Sequence, residues 1–328
     1  YHQRMQATAV AHPNIALIKY WGKSDVERNI PAVGSLSITL DGLTTTTSVF
    51  FDAELEEDEF LLGGRAAPEM AGRVNRCLDL VRERVGVRTR ARVESDNDFP
   101  TAAGLASSAS GFAALVTAAD AALGVDIPQV ELADMARRAS GSAARSIFGG
   151  FVELLLTPDS PRPTETRQIL EPSAWPLRVA VAVTETGPKE IGSTEGMVRT
   201  ERTAPFYASW VNSSEGDLAE ARDAIAGRDF EALARVSESS CLKMHAVMLS
   251  AQPGLIYWNG TTVDCIRRVR ELRADGVPVF FTVDAGPQVK AVCAPDAFEE
   301  VAAELAEIDG VQEVLVSGLG EGARVVTG

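Results

Sequence analysis

The spacing of apolar and polar positions changes period along the chain, and each change marks an element. Residues 7–10 read as a short strand, and residues 35–40 and 44–51 read as two strands around the turn at Asp41-Gly42, with period-two alternation in Leu36-Ser37-Ile38-Thr39-Leu40. Met70, Val74, Leu78, Val81 and Val85 recur every three or four positions, so 69–85 is an amphipathic helix, with its arginines expected to face solvent. A strand at 91–94 leads through a polar turn into an Ala-rich helix over 105–123. A helix at 130–140 and a strand at 151–156 follow.

Periodicity then lapses at Thr157-Pro158-Asp159-Ser160-Pro161-Arg162-Pro163, a polar, Pro-rich loop. Residues 177–184 form a buried strand of alternating Val and Ala that could belong to either half of the chain, and residues 187–197 follow as a second small-residue loop. The second half predicts helices at 206–226, 229–249, 261–274 and 297–307, with strands at 279–283 and 311–317. Strands and helices mixed without regular alternation indicate an α+β fold and not a doubly wound sheet. The break near residues 184–187 divides the chain into an N-terminal lobe, 1–185, and a C-terminal lobe, 186–328. No internal repeat is present.

Composition narrows the function. With 328 residues, 45% apolar and 23% charged, the chain has ample core for two lobes, and its formal charge of −15 disfavours nucleic acid or an anionic membrane as partner. An anionic small-molecule substrate would therefore need a local cluster of Lys and Arg. Cys77, Cys241, Cys265 and Cys293 lack CxxC spacing and have only three histidines to join them, so buried reduced thiols are expected in place of zinc or disulfides. No apolar leader precedes a cleavage site and Asp120 interrupts the most apolar helix, so a cytoplasmic location is expected.

Four stretches carry chemistry. Asp96-Asn97-Asp98-Phe99-Pro100-Thr101-Ala102-Ala103-Gly104-Leu105-Ala106-Ser107-Ser108 runs into the Ala-rich helix, where unpaired backbone N–H groups and small side chains suit a phosphate. A capped, buried helix reads equally well there. Lys19-Tyr20-Trp21-Gly22-Lys23 either buries its aromatics and solvates its lysines or gathers two cations for an anion. It is not a Walker loop, because the first Gly of that pattern would fall at Leu17. Ser140-Gly141-Ser142-Ala143-Ala144-Arg145-Ser146 sets one guanidinium among small residues, for fork-like recognition of an oxyanion or for tying a loop to its own backbone. Asp284, between an apolar strand and Gly286-Pro287, reads as a turn cap or as a general base.

Taken together, Asn14 to Lys23, Pro100 to Gly111, Ser140 to Ser146, Ser193 to Met197 and Asp284 to Pro287 resemble the mevalonate diphosphate decarboxylases, a family within the galactokinase, homoserine kinase, mevalonate kinase and phosphomevalonate kinase superfamily. The resemblance spans nearly the whole chain in order, and the Lys19-to-Lys23 and Asp284-to-Pro287 elements separate the decarboxylases from their kinase relatives. It implies a two-lobed fold with a cleft between the lobes, ATP and Mg²⁺ as cofactors, and a homodimer. The implied reaction phosphorylates the 3-hydroxyl of 5-diphosphomevalonate and then releases phosphate and CO₂ to give isopentenyl diphosphate.

The same resemblance implies residue roles. Asp284 takes or orients the hydroxyl proton, Lys19 steadies the reacting groups, and Arg145 pairs with the substrate carboxylate. Tyr20, Lys23, Ser140 and Ser142 grip the substrate, largely at its diphosphate, and Ser193 lies near the transferred phosphoryl group. Pro100, Ala103, Gly104, Leu105, Ala106, Ser107 and Ser108 form the nucleotide cradle, with Ser107 and Ser108 toward Mg²⁺ and Lys189 beside the phosphates; apart from the resemblance, Asn97 and Asn75 are candidates for adenine contacts or are turn formers. The chain departs from the family at Glu190, where a second lysine is common, at Gln288, where Asn is common, and at Val33-Gly34. Tyr20 with Lys23 favours the diphosphate over a 5-monophosphate substrate. Asp284 with Arg145 favours decarboxylation over phosphorylation alone. A non-catalytic module that binds nucleic acid is disfavoured by the net charge.

Overall fold

A computed structural model describes residues 5–99 and 107–326. The chain opens with strands β1 (Met5–Ala11), β2 (Asn14–Ile18), β3 (Lys23–Asp25), β4 (Ile30–Pro31), β5 (Ser35–Thr39), β6 (Thr45–Asp52), β7 (Glu59–Leu62) and β8 (Arg65–Ala66). Helix α1 (Pro68–Val85), strand β9 (Arg90–Asn97) and helices α2 (Ser107–Leu123), α3 (Gln129–Ala139) and α4 (Ala143–Ser146) follow, then β10 (Phe151–Leu156), β11 (Thr164–Leu170) and β12 (Arg178–Val183). Helices α5 (Ser193–Thr203), α6 (Tyr207–Gly227), α7 (Phe230–Leu249) and α8 (Gly260–Ala274) lead to β13 (Val279–Val283), β14 (Val289–Cys293), α9 (Phe298–Ala306), β15 (Glu313–Ser317) and β16 (Arg324–Val326).

Three larger sheets organise these elements, in the orders β16-β1-β6-β9-β7-β8, β11-β10-β5-β2 and β13-β14-β12-β15, with β3-β4 as a separate ribbon. Period-two patterning sets the inner face of the first sheet, where Val49 and Phe51 of β6 and Ala91 and Val93 of β9 pack on Val74, Leu78 and Val81 of α1 and on Ala113 and Val116 of α2. Helix α7 lies between the second and third sheets, against β2 on one side and β13 on the other. Its Leu233 and Val236 join Leu36, Ile38, Val179 and Phe280 in one core, where each fully buried aliphatic side chain stabilises the fold by roughly 1.5–3 kcal/mol. The architecture is α+β, as expected.

Several local expectations change. The strands on either side of Asp41-Gly42 do not form a hairpin: β5 and β6 belong to different sheets. The turn docks on the C-terminal segment instead, with Asp41 Oδ1 accepting from Gly318 N at 2.6 Å and Ser317 Oγ at 3.1 Å. A Cβ on Gly42 would come within 2.2 Å of the Val316 carbonyl, which requires glycine there. Arg82 of α1 is buried and not solvated, because Asp58, ahead of β7, takes its guanidinium in a two-pronged pair. The Pro-rich loop closes a β10–β11 hairpin, and the strand at 178–183 joins the third sheet. Ser193 to Met197 is the start of α5 and not a loop. β16 crosses back to pair with β1, so the two ends of the chain share a sheet.

Candidate active site

The ends of β2 and β13 meet under α7. Both strands are buried along their whole length, so the first polar residue after each emerges at the same seam. Lys19 follows β2; its backbone N–H donates to Ser240 Oγ of α7 at 3.0 Å and its Nζ donates to Asp284 Oδ1 at 2.6 Å. Asp284 follows β13, and the preceding Val283 is held by two residues of α7. Its N–H donates to Cys241 Sγ at 3.2 Å, and its carbonyl lies 3.1 Å from His245 Nε2. Burial pushes His245 down to about 3, so its ring is neutral.

Asp284 therefore does not serve as a cap for its turn. Its second oxygen, Oδ2, is 3.2 Å from Lys290 Nζ of β14. Burial alone would raise the carboxyl, but the ammonium groups of Lys19 and Lys290 override it and hold Asp284 well below the usual carboxylate range. The two lysine side chains are 1% and 3% exposed, whereas that of Asp284 keeps 29% of its surface open. The carboxylate is thus ionised, oriented from behind and accessible from one side.

Lys19 and Lys23 are both buried, which overturns the reading of a solvated lysine pair. The aromatic residue between them is the anchor: Trp21 Nε1 donates to Thr200 Oγ1 at 3.1 Å and its carbonyl accepts from Trp210 Nε1 at 2.9 Å. Gly22 turns the chain at φ +101 directly beneath the Tyr207 hydroxyl. Lys23 Nζ then reaches Thr194 Oγ1 of α5 at 3.3 Å, and among the described residues no carboxylate lies within ion-pair distance of it.

Arg145 on α4 does not tie a loop to its own backbone. Its Nη1 donates to Ser35 Oγ at 2.6 Å, and Nε and Nη2 share Asn14 Oδ1 at 3.3 and 3.2 Å. Asn14 is fixed in turn, donating to the Ser142 carbonyl at 3.0 Å and Ser146 Oγ at 2.8 Å. Burial lowers the guanidinium to about 10, while Asp284 and Tyr20 act in the opposite sense. All its partners are neutral. Tyr20 is pushed up to about 12 by burial, so its hydroxyl stays protonated, and it rests over Gly141, between Ser140 and Ser142.

A second region lies at the start of α2. Ser107, Ser108 and Asn97 line a cavity of about 150 Å³ with Phe60, Leu62, Met70 and Phe112 on its apolar walls and Arg73 at its side. Apolar walls with a polar edge suit a heteroaromatic base, and Asn97, unlike Asn75, is part of the lining. Ser108 Oγ lies 3.2 Å from Ser140 Oγ, which connects this cavity to the Arg145 segment. Pro100, Ala103, Gly104, Leu105 and Ala106 lie outside the described residues. Among the described residues no group of three or more His, Cys, Asp or Glu side chains is placed to hold a metal ion. The donors present, the Ser107 and Ser108 hydroxyls, fit Mg²⁺ held chiefly through nucleotide phosphates and water. Lys189 Nζ donates to Ser193 Oγ at 3.0 Å on the C-terminal side of the seam.

Sequence reasoning missed three positions. Lys290 is a lone cation in the apolar run Val289 to Cys293, and that was its available signal. Asn14 and Ser35 each open a buried strand with a polar side chain. Gln288, a departure from the family pattern, accepts from Thr184 N at 2.7 Å and donates to the Glu185 carbonyl at 2.6 Å, so it knits the Asp284 turn to the end of β12. The cysteines are free and buried, as expected.

Comparison with known proteins accounts for this geometry. Residues 11–160 match the diphosphomevalonate decarboxylase-like N-terminal domain, and residues 179–324 match the mevalonate 5-diphosphate decarboxylase C-terminal domain. The diphosphomevalonate decarboxylase of Candida albicans is 36% identical over 86% of this chain and 82% of its own length. The phosphomevalonate decarboxylase of Haloferax volcanii is 33% identical over 98% of both chains. Among solved structures, a complex of the protein designated MDDEF with MVAPP, AMPPCP and magnesium superposes with a TM-score of 0.91 at 38% identity, covering 99% of this chain and 100% of its own. A structure of the mevalonate diphosphate decarboxylase from Enterococcus faecalis, described in terms of mevalonate diphosphate mediated ATP binding, gives 0.90 at 38% identity over the same shares. Among the described residues no helix is long and apolar enough to cross a membrane. With relatives matched over most of their length and both halves of the seam present, the chain belongs to the diphosphomevalonate decarboxylase family of ATP-dependent enzymes.

Proposed function

We propose that the seam between β2 and β13 decarboxylates 5-diphosphomevalonate to isopentenyl diphosphate, with Asp284 as the group that receives the 3-hydroxyl proton. The observation that carries this reading is the pairing of an ionised, half-open Asp284 with a buried Arg145 that has no anionic partner among the described residues. Bound ATP supplies the phosphoryl group for the tertiary oxygen, and Mg²⁺ offsets the charge on its phosphates.

Asp284 is too weak a base to deprotonate a tertiary alcohol in advance. It accepts a hydrogen bond from the hydroxyl and takes the proton as the O–P bond forms. Lys19, 2.6 Å from that carboxylate, offsets negative charge gathering at the reacting oxygen. Arg145 offers a planar fork to the substrate carboxylate, and each of its terminal nitrogens has a second N–H for this purpose. When the C3–O bond breaks and phosphate leaves, the electron pair of the C1–C2 bond becomes the C2–C3 alkene and CO₂ departs. Tyr20, Lys23, Ser140 and Ser142 hold the diphosphate, and Ser193 with Lys189 faces the transferred group. Asn97, Ser107 and Ser108 serve the nucleotide side. The division at residue 185 and a cytoplasmic location go with this proposal as readings of the sequence, and a homodimeric assembly as an implication of the family resemblance.

A second reading is supported by the Haloferax volcanii relative, matched end to end and named for the monophosphate substrate. ATP-dependent CO₂ release from 5-diphosphomevalonate and 5-phosphomevalonate, measured side by side, separates the two. A kcat/KM at least tenfold higher for the diphosphate is expected. The reverse preference establishes the second reading, and no CO₂ from either substrate defeats both.

A further inference from the structure

The buried charges around Asp284 do not balance. One carboxylate faces two ammonium groups, Lys19 on Oδ1 and Lys290 on Oδ2, and both lysine side chains are sealed from solvent. Lys290 sits on β14, an interior strand, opposite Thr282 of β13 and Val181 of β12. Burial at such a position disfavours the ammonium form, and Asp284 acts in the opposite sense. Two cations alone do not mark a reactive carboxylate, since Glu153 is held by two partly solvated arginines, but here Lys19 at 2.6 Å is joined by a second cation that is itself sealed from solvent, while the anion is open. The second leaves a surplus positive charge behind the open face of the carboxylate, where negative charge must gather when an anionic substrate binds and phosphoryl transfer begins.

We propose that Lys290 is a positioning residue for the reaction, fixing the second oxygen of Asp284 and supplying the surplus charge that keeps this carboxylate ionised beside its anionic substrate. The inference rests on the assignment of Asp284 as proton acceptor. Two anchors on separate segments, one just past β2 and one on β14, also fix the plane of the carboxylate, which a single lysine contact leaves free to rotate about the Cβ–Cγ bond. The other titratable or charged groups facing Asp284 are Lys189 ahead of α5, Arg145 on α4, and Cys241 and His245 on α7. The first two are cations that act in the same sense as Lys290. The ring of His245 is neutral, and burial raises the Cys241 thiol, so neither replaces the charge of Lys290.

The sign of the effect follows directly. Removing a cation favours the protonated acid, so the acid limb of kcat against pH moves upward when Lys290 loses its charge. The test compares wild type, K290M, K290R and D284N between pH 5 and 9, with thermal melting recorded for each. K290M is expected to lose about tenfold or more in kcat, to leave the KM for diphosphomevalonate within about threefold, and to show an acid limb at least about one pH unit above wild type. K290R restores the charge and brings the limb back toward wild type. If K290M does not fold, K290Q, which retains a polar head without charge, takes its place. A neutral variant whose kcat and acid limb match wild type overturns the inference even where its melting point falls, and so does a K290R profile indistinguishable from K290M. A D284N enzyme with near-normal turnover overturns the Asp284 assignment instead, which keeps the two failures distinct.

Discussion

Glu153 and Asp284 are each held by two cations, and they are built in opposite senses. At the seam between β10, β11 and α6, Glu153 is 0% exposed and its two arginines are 46% and 35% exposed. At the seam between β2, β13 and β14, the two lysines are 1% and 3% exposed and the side chain of Asp284 is 29% exposed. The first arrangement seals the anion and lets solvent screen the cations. The second seals the cations and leaves the anion open. Geometry reinforces the contrast, because each arginine grips one oxygen of Glu153 through two nitrogens, with Arg167 at 3.2 and 3.0 Å and Arg222 at 2.8 and 2.5 Å. Planar forks of this kind saturate a carboxylate, whereas a lysine acts as a point charge and leaves lone pairs for another donor. Local charge count does not separate a staple from a reactive group here; the direction in which the exposed surface lies does.

The sharpest break in this comparison is Asp284→Asn. It preserves shape and removes the charge, so turnover should fall by roughly 10³-fold or more while ATP and diphosphomevalonate still bind. Calorimetry for both ligands beside kcat decides it, and activity within about tenfold of wild type removes Asp284 from the chemistry. Arg145→Leu comes next. Arg137, eight positions earlier and equally buried, donates to the Asp134 carboxylate at 2.8 Å and to the carbonyls of Arg28 and Asn29 at 3.0 and 2.7 Å, so it is satisfied as it stands. Arg145 has only neutral partners and is the guanidinium free to take a ligand anion. Its replacement should raise KM for diphosphomevalonate and lower kcat, together about 3 kcal/mol or more, with ATP affinity unchanged. Unaltered decarboxylation kinetics would show that Arg145 is, like Arg137, part of the scaffold.

How far the sequence disclosed this contrast follows from which contacts are local. Asp284 stands out because an apolar strand ends on it ahead of Gly286-Pro287, and Arg145 because it is the one cation in a run of small residues. Their partners do not stand out. Lys290 reaches Asp284 only through the β13–β14 register that sets it opposite Thr282, and Asn14 reaches Arg145 across more than a hundred residues. The solvated arginine expected at position 82 failed for the same reason, since Asp58 arrives from a different element. The start of α5 was hidden differently. Gly196, a poor helix former, sits in its first turn because a Cβ there would come within 2.8 Å of the Tyr257 hydroxyl and 3.0 Å of the Trp21 ring, so a packing demand overrides local propensity.

Ser108→Ala asks whether the cavity beside α2 belongs with the reactive seam. The substitution keeps helix propensity and deletes one hydroxyl that lies 3.2 Å from Ser140 Oγ. A loss of about tenfold in turnover and nucleotide affinity with an unchanged melting temperature is expected. A mutant that melts far below wild type yet is fully active in the cold would return Ser108 to the role of a helix cap.

The smallest effect on turnover is expected at the other carboxylate, and it is the control on which the comparison depends. Glu153→Gln keeps the volume but turns one oxygen into an NH₂ group, which then faces the N–H donors of an arginine. The clamp loses its charge and half of its acceptors. Breaking a fully buried ion pair costs about 3–5 kcal/mol, but both arginines here are partly solvated, so a loss nearer about 2 kcal/mol is expected. Among the described residues the Glu153 side chain hydrogen-bonds to none of those assigned to substrate or nucleotide, and its partners lie on β11 and α6. Urea unfolding of E153Q should therefore show the reduced stability while kcat and both KM values stay within about twofold of wild type at a temperature where the protein is folded. A variant that melts normally but turns over slowly would mean that the β10–α6 seam transmits to the reacting groups, and the division between a sealed carboxylate for structure and an open one for chemistry would have to be abandoned.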